Sequence, residues 1–268
     1  MHFLLPRHRS VKAFTLVELV VVLVVVGIMA ALGGMFIVQP IQGFLDLSRR
    51  ARLVDGAETA LRRMQRDVRG ALPNSVRISC GGNCLELLDT ADGGRYRAYG
   101  PGNVLDFTRI DSDGFEVLGG LEAAPNSSQS LVVYNLSASG TDGNAYYGDN
   151  RSGIGAGSSA VLVHPAPAIK FPRSSPCQRF FIVDEPVSYV CDPVANTLTR
   201  YAGYAIAASQ SGSPGGSSAL VARNVSACNF NYQPGTYQRA GLVTLRLQIT
   251  EDGETVTLLH QIHVENAP

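Results

Sequence analysis

Few side chains in this 268-residue chain have the type and spacing to do chemistry. The five cysteines, Cys80, Cys84, Cys177, Cys191 and Cys228, lack the paired spacing of a zinc ribbon or finger, so disulfide formation suits them better than a thiolate metal centre. Cys80-Gly-Gly-Asn-Cys84 is glycine-rich enough to close on itself, and Cys177 and Cys191 bracket an expected hairpin. The expected bridges are therefore Cys80 with Cys84 and Cys177 with Cys191. Cys228 is then left over, either as a buried thiol or as the partner of one of these four, because spacing does not determine connectivity. His260 and His263 have the form of an H-x-x-H ligand pair, but three residues along a strand send side chains to opposite faces. The loops around Asp111 and Asp113, and around Asp142, Asn144 and Asp149, offer oxygens for calcium without the EF-hand spacing, and Asp-Gly is first of all turn chemistry. The glycines of residues 153–159 lead into a strand-like run and lack the lysine of a phosphate loop. No G-x-S-x-G elbow occurs. No catalytic residue, metal or cofactor is assigned from these patterns.

One acid stands where chemistry alone does not call for it. Glu18 lies near the start of the apolar run Phe14–Val38, about 25 positions long and otherwise uncharged, which at 1.5 Å per residue is enough to cross a bilayer. A carboxylate at the centre of such a span is unfavourable by about 2.5 to 3.5 kcal/mol, less near an interface, so a compensating charge is expected. Arg7, Arg9 and Lys12 precede the run, which places the N-terminus in the cytoplasm and the remainder outside it, where disulfides persist. The segment after the run is a poor signal-peptidase site, so the helix is expected to be retained.

The stretch Ala13-Phe14-Thr15-Leu16-Val17-Glu18 resembles the type IV prepilin signature, a basic leader cut just before a Phe with an acid at the fifth mature position. The resemblance implies that a prepilin peptidase cuts between Ala13 and Phe14 and methylates the new amine. Residues 1–13 would then be a cleaved leader. The family nearly always has Gly where this chain has Ala13. The resemblance also implies a role for Glu18 in filament assembly, its carboxylate meeting the N-terminal amine of a neighbouring subunit. The alternative is a signal anchor whose Glu18 sits at headgroup level. Residues 179–204 and 220–268 resemble minor pilins of the mannose-sensitive haemagglutinin (MSHA) pilus, the biogenesis protein O family, and more distantly the J-type minor pseudopilins of type II secretion.

The elements that must carry these residues follow from periodicity. After Pro40 the helix is expected to resume, bent or locally melted by Pro40 and Gly43, with Leu53, Ala57, Leu61, Met64 and Val68 on one apolar face and Asp46–Arg50 and Glu58–Arg62 as i,i+4 pairs. The helix is read over 14–72, spanning over 14–38 and amphipathic over 41–72, with a β-rich head at 73–268. Candidate strands are 76–79, 84–88, 95–99, 104–110, 115–118, 131–136 and 160–164. Three hairpins follow: one turning at Glu185-Pro186, one at Pro193–Asn196, and one at Glu251–Glu254. Residues 137–159 and 209–218 are read as mobile loops. The fold class is α+β, a long N-terminal α-helix packed on an antiparallel β-sheet head with long loops, as in pilins.

Composition narrows the function. With 45% hydrophobic residues the chain can build a core, and with net charge zero it has no bulk field for nucleic acid or acidic lipid. Arginines 49, 50, 52, 62, 63, 66 and 69 surround the helix without interleaved aromatics, so no nucleic acid is expected as a partner. The expected protein is a non-enzymatic filament subunit, a minor pilin at the tip or in initiation, or else a secretion pseudopilin. Its partners would be other major and minor pilins, the prepilin peptidase, the membrane and the inner-membrane assembly platform. An anchored exported enzyme and a DNA-uptake receptor are the readings from other classes.

Overall fold

The computed structural model describes residues 14–236 and 239–264, and the side chains within them except at 34–40. Helix α1 spans Leu16–Arg69. The strands are β1 Arg77–Ser79, β2 Cys84–Tyr96, β3 Phe115–Leu118, β4 Ser130–Val133, β5 Arg151–Ile154, β6 Leu162–Val163 and β7 Pro165–Ala166. They continue as β8 Arg179–Asp192, β9 Thr197–Ala202, β10 Ser217–Arg223, β11 Val225–Gln233, β12 Gly241–Glu251 and β13 Glu254–Val264. The fold class is α+β, a helix followed by an antiparallel head.

The chain divides into two units, Met1–Ala51 and Arg52–Pro268. From Leu16 the first unit is helix, and its backbone stays helical through Pro40 and Gly43 rather than melting there. Proline removes only one intrahelical bond, and the turns on either side keep theirs.

In the second unit the helix ends at Arg69 because the chain there joins the sheet. The Gly70 carbonyl accepts from the Thr90 amide at 3.0 Å, and the Leu72 amide donates to the Leu88 carbonyl at 2.8 Å. The apolar face foreseen at Leu53, Ala57, Leu61, Met64 and Val68 is buried, with Ala60 beside it. It packs in one core with Leu85, Val187, Tyr189 and Leu198 of one sheet and Phe230, Val243, Leu245, Leu247 and Ile262 of the other. The larger sheet runs β6-β3-β2-β8-β4-β5-β7, with β1 on β2 and β9 then β10 extending from β8. The smaller one is β11-β12-β13. A second core, under β2, β3 and β8, holds Tyr96, Phe115, Phe171 and Phe180.

Two of the three hairpins form as read. β8 turns into β9 where the Asp192 carboxylate accepts from the Val194 and Ala195 amides at 2.9 and 3.0 Å. β12 turns into β13 through Asp252 and Gly253, both at positive φ, the backbone an Asp-Gly hairpin turn requires. The hairpin at Glu185-Pro186 does not form: β8 is one strand of 14 residues paired along its length with β2. On its other edge β4 covers Phe180–Val183 and β9 covers Val187–Asp192, leaving Asp184–Pro186 between the two ladders. A residue without an amide can sit in that gap, so proline does not break the strand. The expected strand 104–110 is likewise absent, because Asp106 accepts from the Thr108 amide at 2.7 Å and turns the chain. Residues 137–159 contain β5 and the buried Tyr146, whose hydroxyl donates to the Ser75 carbonyl at 3.0 Å. Strand β2 unites two strands read separately.

Removing the Leu61 side chain from the centre of the helix–sheet core should cost about 2 to 5 kcal/mol. Urea denaturation of Leu61→Ala should show a lower midpoint at unchanged slope, while Leu61→Met should lose less than about 1.5 kcal/mol.

Candidate functional site

The N-terminal segment carries the candidate residues, and its local structure starts with a cap. Thr15 precedes the helix, and its hydroxyl accepts from the Glu18 amide at 3.3 Å, while the first helical bond runs from the Leu19 amide to the Thr15 carbonyl at 3.2 Å. Thr15 and Glu18 thus have the T-x-x-E spacing of a capping box, and the carboxylate lies in the first turn, where the helix dipole favours negative charge. That spacing was available in the sequence; the bond that forms uses the backbone amide of Glu18, not its carboxylate. Ala13 lies outside the described residues. Phe14 is 74% exposed.

Beyond the cap the helix is bare. The window Leu16–Gly33 has a mean hydropathy of 2.8 and none of it is buried among the described residues, so by length and composition it can cross a membrane. At about 25 cal/mol per Å² of apolar surface, leaving this face in water is costly. Such a surface calls for lipid or other chains around it.

Residues 8–34 match the prokaryotic N-terminal methylation motif. The chain carries a type IV pilin-like prepilin signal. Searches of curated proteins and of solved structures find no match. The motif spans the apolar helix, the cap and the acid in one segment, and it supports a pilin-like or pseudopilin subunit; the head rests on its own geometry.

In the head, Cys80 and Cys84 are bridged, with Cα atoms 5.4 Å apart. The expected bridge between Cys177 and Cys191 is absent. Cys191 pairs with Cys228 at a Cα separation of 6.3 Å, and Cys177 is an exposed free thiol. The cause is the continuous β8: Cys177 precedes it and Cys191 lies at its far end, so about 3.3 Å per residue over its length separates them far beyond disulfide reach. The bridge that forms ties β8 of the larger sheet to β11 of the smaller.

The acidic loops use most of their oxygens locally, Asp111 Oδ2 being buried without a hydrogen-bond partner among the described residues. Asp111 Oδ1 accepts from the Asp113 and Gly114 amides at 3.1 and 3.0 Å, and Asp149 accepts from the Gly143 and Asn144 amides. Asp142 pairs with Arg173, and Asn144 donates to the Gly140 carbonyl. Among the described residues no group of three or more His, Cys, Asp or Glu side chains is placed to hold a metal ion. His260 and His263 fall on opposite faces of β13: His263 points outward, and His260 faces the helix, its Nε2 3.1 Å from Glu58 Oε2.

Polar contacts hold the helix on the sheets. Asp67 Oδ2 accepts from the Tyr189 hydroxyl at 2.8 Å and from Arg200 Nε at 2.7 Å, fixing α1 to β8 and β9. Burial, then the nearby Asp67 carboxylate, pushes the Tyr189 hydroxyl well above its ordinary range. Glu86 is buried against Arg77 at 2.8 Å and accepts from the Tyr204 hydroxyl; burial raises its carboxyl although Arg77 opposes the shift. Arg77 also donates to the Ala207 and Ala208 carbonyls and stacks 3.6 Å from the Tyr146 ring centre.

A cleft of about 400 Å³ beside this anchor is lined by Asp89, Ser128, Asp184, Glu185 and Arg200. The Ser128 hydroxyl donates to the side-chain Oδ1 of Asn126 in its own turn, and Asp184 accepts from Gln129, so no nucleophile is bonded to a base there. Burial, then the Asp67 and Asp184 charges, raises the Asp89 carboxyl above the ordinary aspartate value of 3.8.

Because the folded value for Asp89 exceeds the unfolded one, its contribution to stability is present below pH 3.8 and is lost as pH rises through the raised value. The melting temperature of Asp89→Asn should therefore decline less than that of the parent chain as pH rises above about 4. Replacing Cys191 and Cys228 together by serine should cost about 4 kcal/mol, the loop-closure value for a 37-residue separation. Maleimide added without reductant should label Cys177 alone.

Proposed function

We propose that the protein is a minor pilin, a non-enzymatic subunit that enters the inner membrane as a prepilin. Its N-terminus faces the cytoplasm and its head the periplasm. A prepilin peptidase removes residues 1–13, cutting after Ala13, and methylates Phe14. The exposed helix then packs among the helices of other pilins, delivered through the inner-membrane assembly platform. The observation that carries this reading is a methylation motif over residues 8–34 leading into a helix whose apolar surface is not buried among the described residues.

In this reading Glu18 is the assembly residue. Its carboxylate, costly in an apolar layer, gains a counter-ion from the N-terminal amine of an adjacent subunit, which also sets the stagger between the two. The resemblance of residues 179–204 and 220–268 to MSHA minor pilins supports a role in an MSHA-like type IV pilus. The size of the head supports a place at the tip or in initiation. A type II secretion pseudopilin shares the motif and the helix, and differs in the apparatus that it serves.

The test separates charge from capping. Glutamine fills the capping-box position as well as glutamate does, but carries no charge. Sheared filaments from cells expressing Glu18→Ala and Glu18→Gln should both contain at least about tenfold less of the subunit than wild type, as read by immunoblot. Wild-type incorporation of the Gln variant would show that the charge of Glu18 is not needed for assembly. The mass of the mature N-terminus should correspond to a chain starting at methylated Phe14 where the peptidase is present, and to an uncut chain where it is deleted.

A further inference from the structure

A groove in the head is built like a site for an added strand. It has a volume of about 470 Å³ and is lined by the consecutive residues Leu220–Asn224, by Arg52, Leu53 and Gly56 of α1, and by Ile249 and Glu251 of β12. That size lies within the range of about 300 to 1,000 Å³ usual for ligand pockets. Residues of both faces of β10 take part, and no residue of β9 does. Among the described residues β10 pairs only with β9, so the groove follows the edge that β9 leaves open. An open edge presents a row of amides and carbonyls, the template on which an extended segment adds by main-chain hydrogen bonds.

The walls give the occupant its character. Leu53, Ala222 and Ile249 are buried and apolar beneath the groove, suiting alternate apolar side chains. Arg52 and Arg223 are both exposed, and neither forms an ion pair with Glu251 or with any other described residue. Two cations against one carboxylate favour an acidic occupant. A Cβ added at Gly56 would meet nothing within 4 Å, so the space beside the helix is open rather than packed.

The geometry points to this groove as a docking site for an extended, acidic segment of a fellow subunit, which adds to the β10 edge with its acids on Arg52 and Arg223. That the segment belongs to another subunit rests on the proposed filament role; the groove's chemistry does not. The test is fluorescence anisotropy with the full chain in detergent micelles and a labelled short peptide of alternating valine and glutamate. The peptide should bind, and salt should weaken it. Binding should fall at least about tenfold for a valine–lysine peptide, for the same acidic peptide N-methylated at every internal amide, and for the double variant Arg52→Glu, Arg223→Glu. Gly56→Phe, which fills the groove, should also abolish binding while leaving the thermal melt unchanged. Absence of binding, equal binding of the lysine peptide, or equal binding of the methylated peptide would overturn the proposal. None of these results depends on filament incorporation, which the Glu18 variants read separately.

Discussion

One helix must satisfy two apolar surfaces of different kinds. Over Arg52–Arg69 the stripe of Leu53, Ala57, Ala60, Leu61, Met64 and Val68 is covered by the head's own sheets. Over Leu16–Gly33 the helix is apolar and none of it is buried among the described residues. A helix apolar all round is not a core helix of this head; it needs a non-aqueous layer or other helices about it. The head therefore depends on the stripe, and any function of the bare half depends on what surrounds it outside the chain.

The polar contacts at the stripe's margins fix the helix in place more than they add net stability. The Asp67 carboxylate joins Tyr189 and Arg200, and Glu58 meets His260, so each sheet has a directional bond to α1. Hydrophobic burial alone is non-directional, and a helix on a flat apolar floor could rotate or slide. A charge-assisted bond at each side restricts the helix to one register, because a shifted helix would leave a half-buried carboxylate without its partner. The Cys191–Cys228 bridge acts on the same core, tying together the two sheets that hold the stripe.

How far this was legible in the sequence depended on the range of the signal. The stripe and the β12–β13 hairpin are local patterns, a period of three to four residues in one case and strict alternation about Asp252-Gly253 in the other, and both formed as read. Glu185-Pro186 is also a local signal, and it misled. Proline reads as a turn, whereas the gap between the β4 and β9 ladders, set by residues far along the chain, lets it stay within a strand. The cysteine error follows from that one, since a hairpin would have brought Cys177 and Cys191 together and a continuous strand holds them apart. The pairs Asp67–Arg200 and Glu58–His260 are 133 and 202 residues apart, and no spacing rule could have joined them. The Thr15–Glu18 cap was the reverse case, legible within four residues but obscured by the larger question of a charge in an apolar run.

The place of Glu18 in the first turn changes its energetics. A carboxylate there gains about 0.3 to 1 kcal/mol from the helix dipole. That offsets part of the cost of a charge near the end of a membrane span, which lies below the roughly 2.5 to 3.5 kcal/mol at the bilayer centre. The cap bond itself does not select a carboxylate, because it runs from the Glu18 backbone amide to the Thr15 hydroxyl and leaves the side chain out. What distinguishes glutamate is its charge. In a dry bundle of helices that charge gains most from a cation at short range, and a free amine at residue 14 of an adjoining subunit would be such a cation, with its partner held at a fixed height by the Thr15 cap.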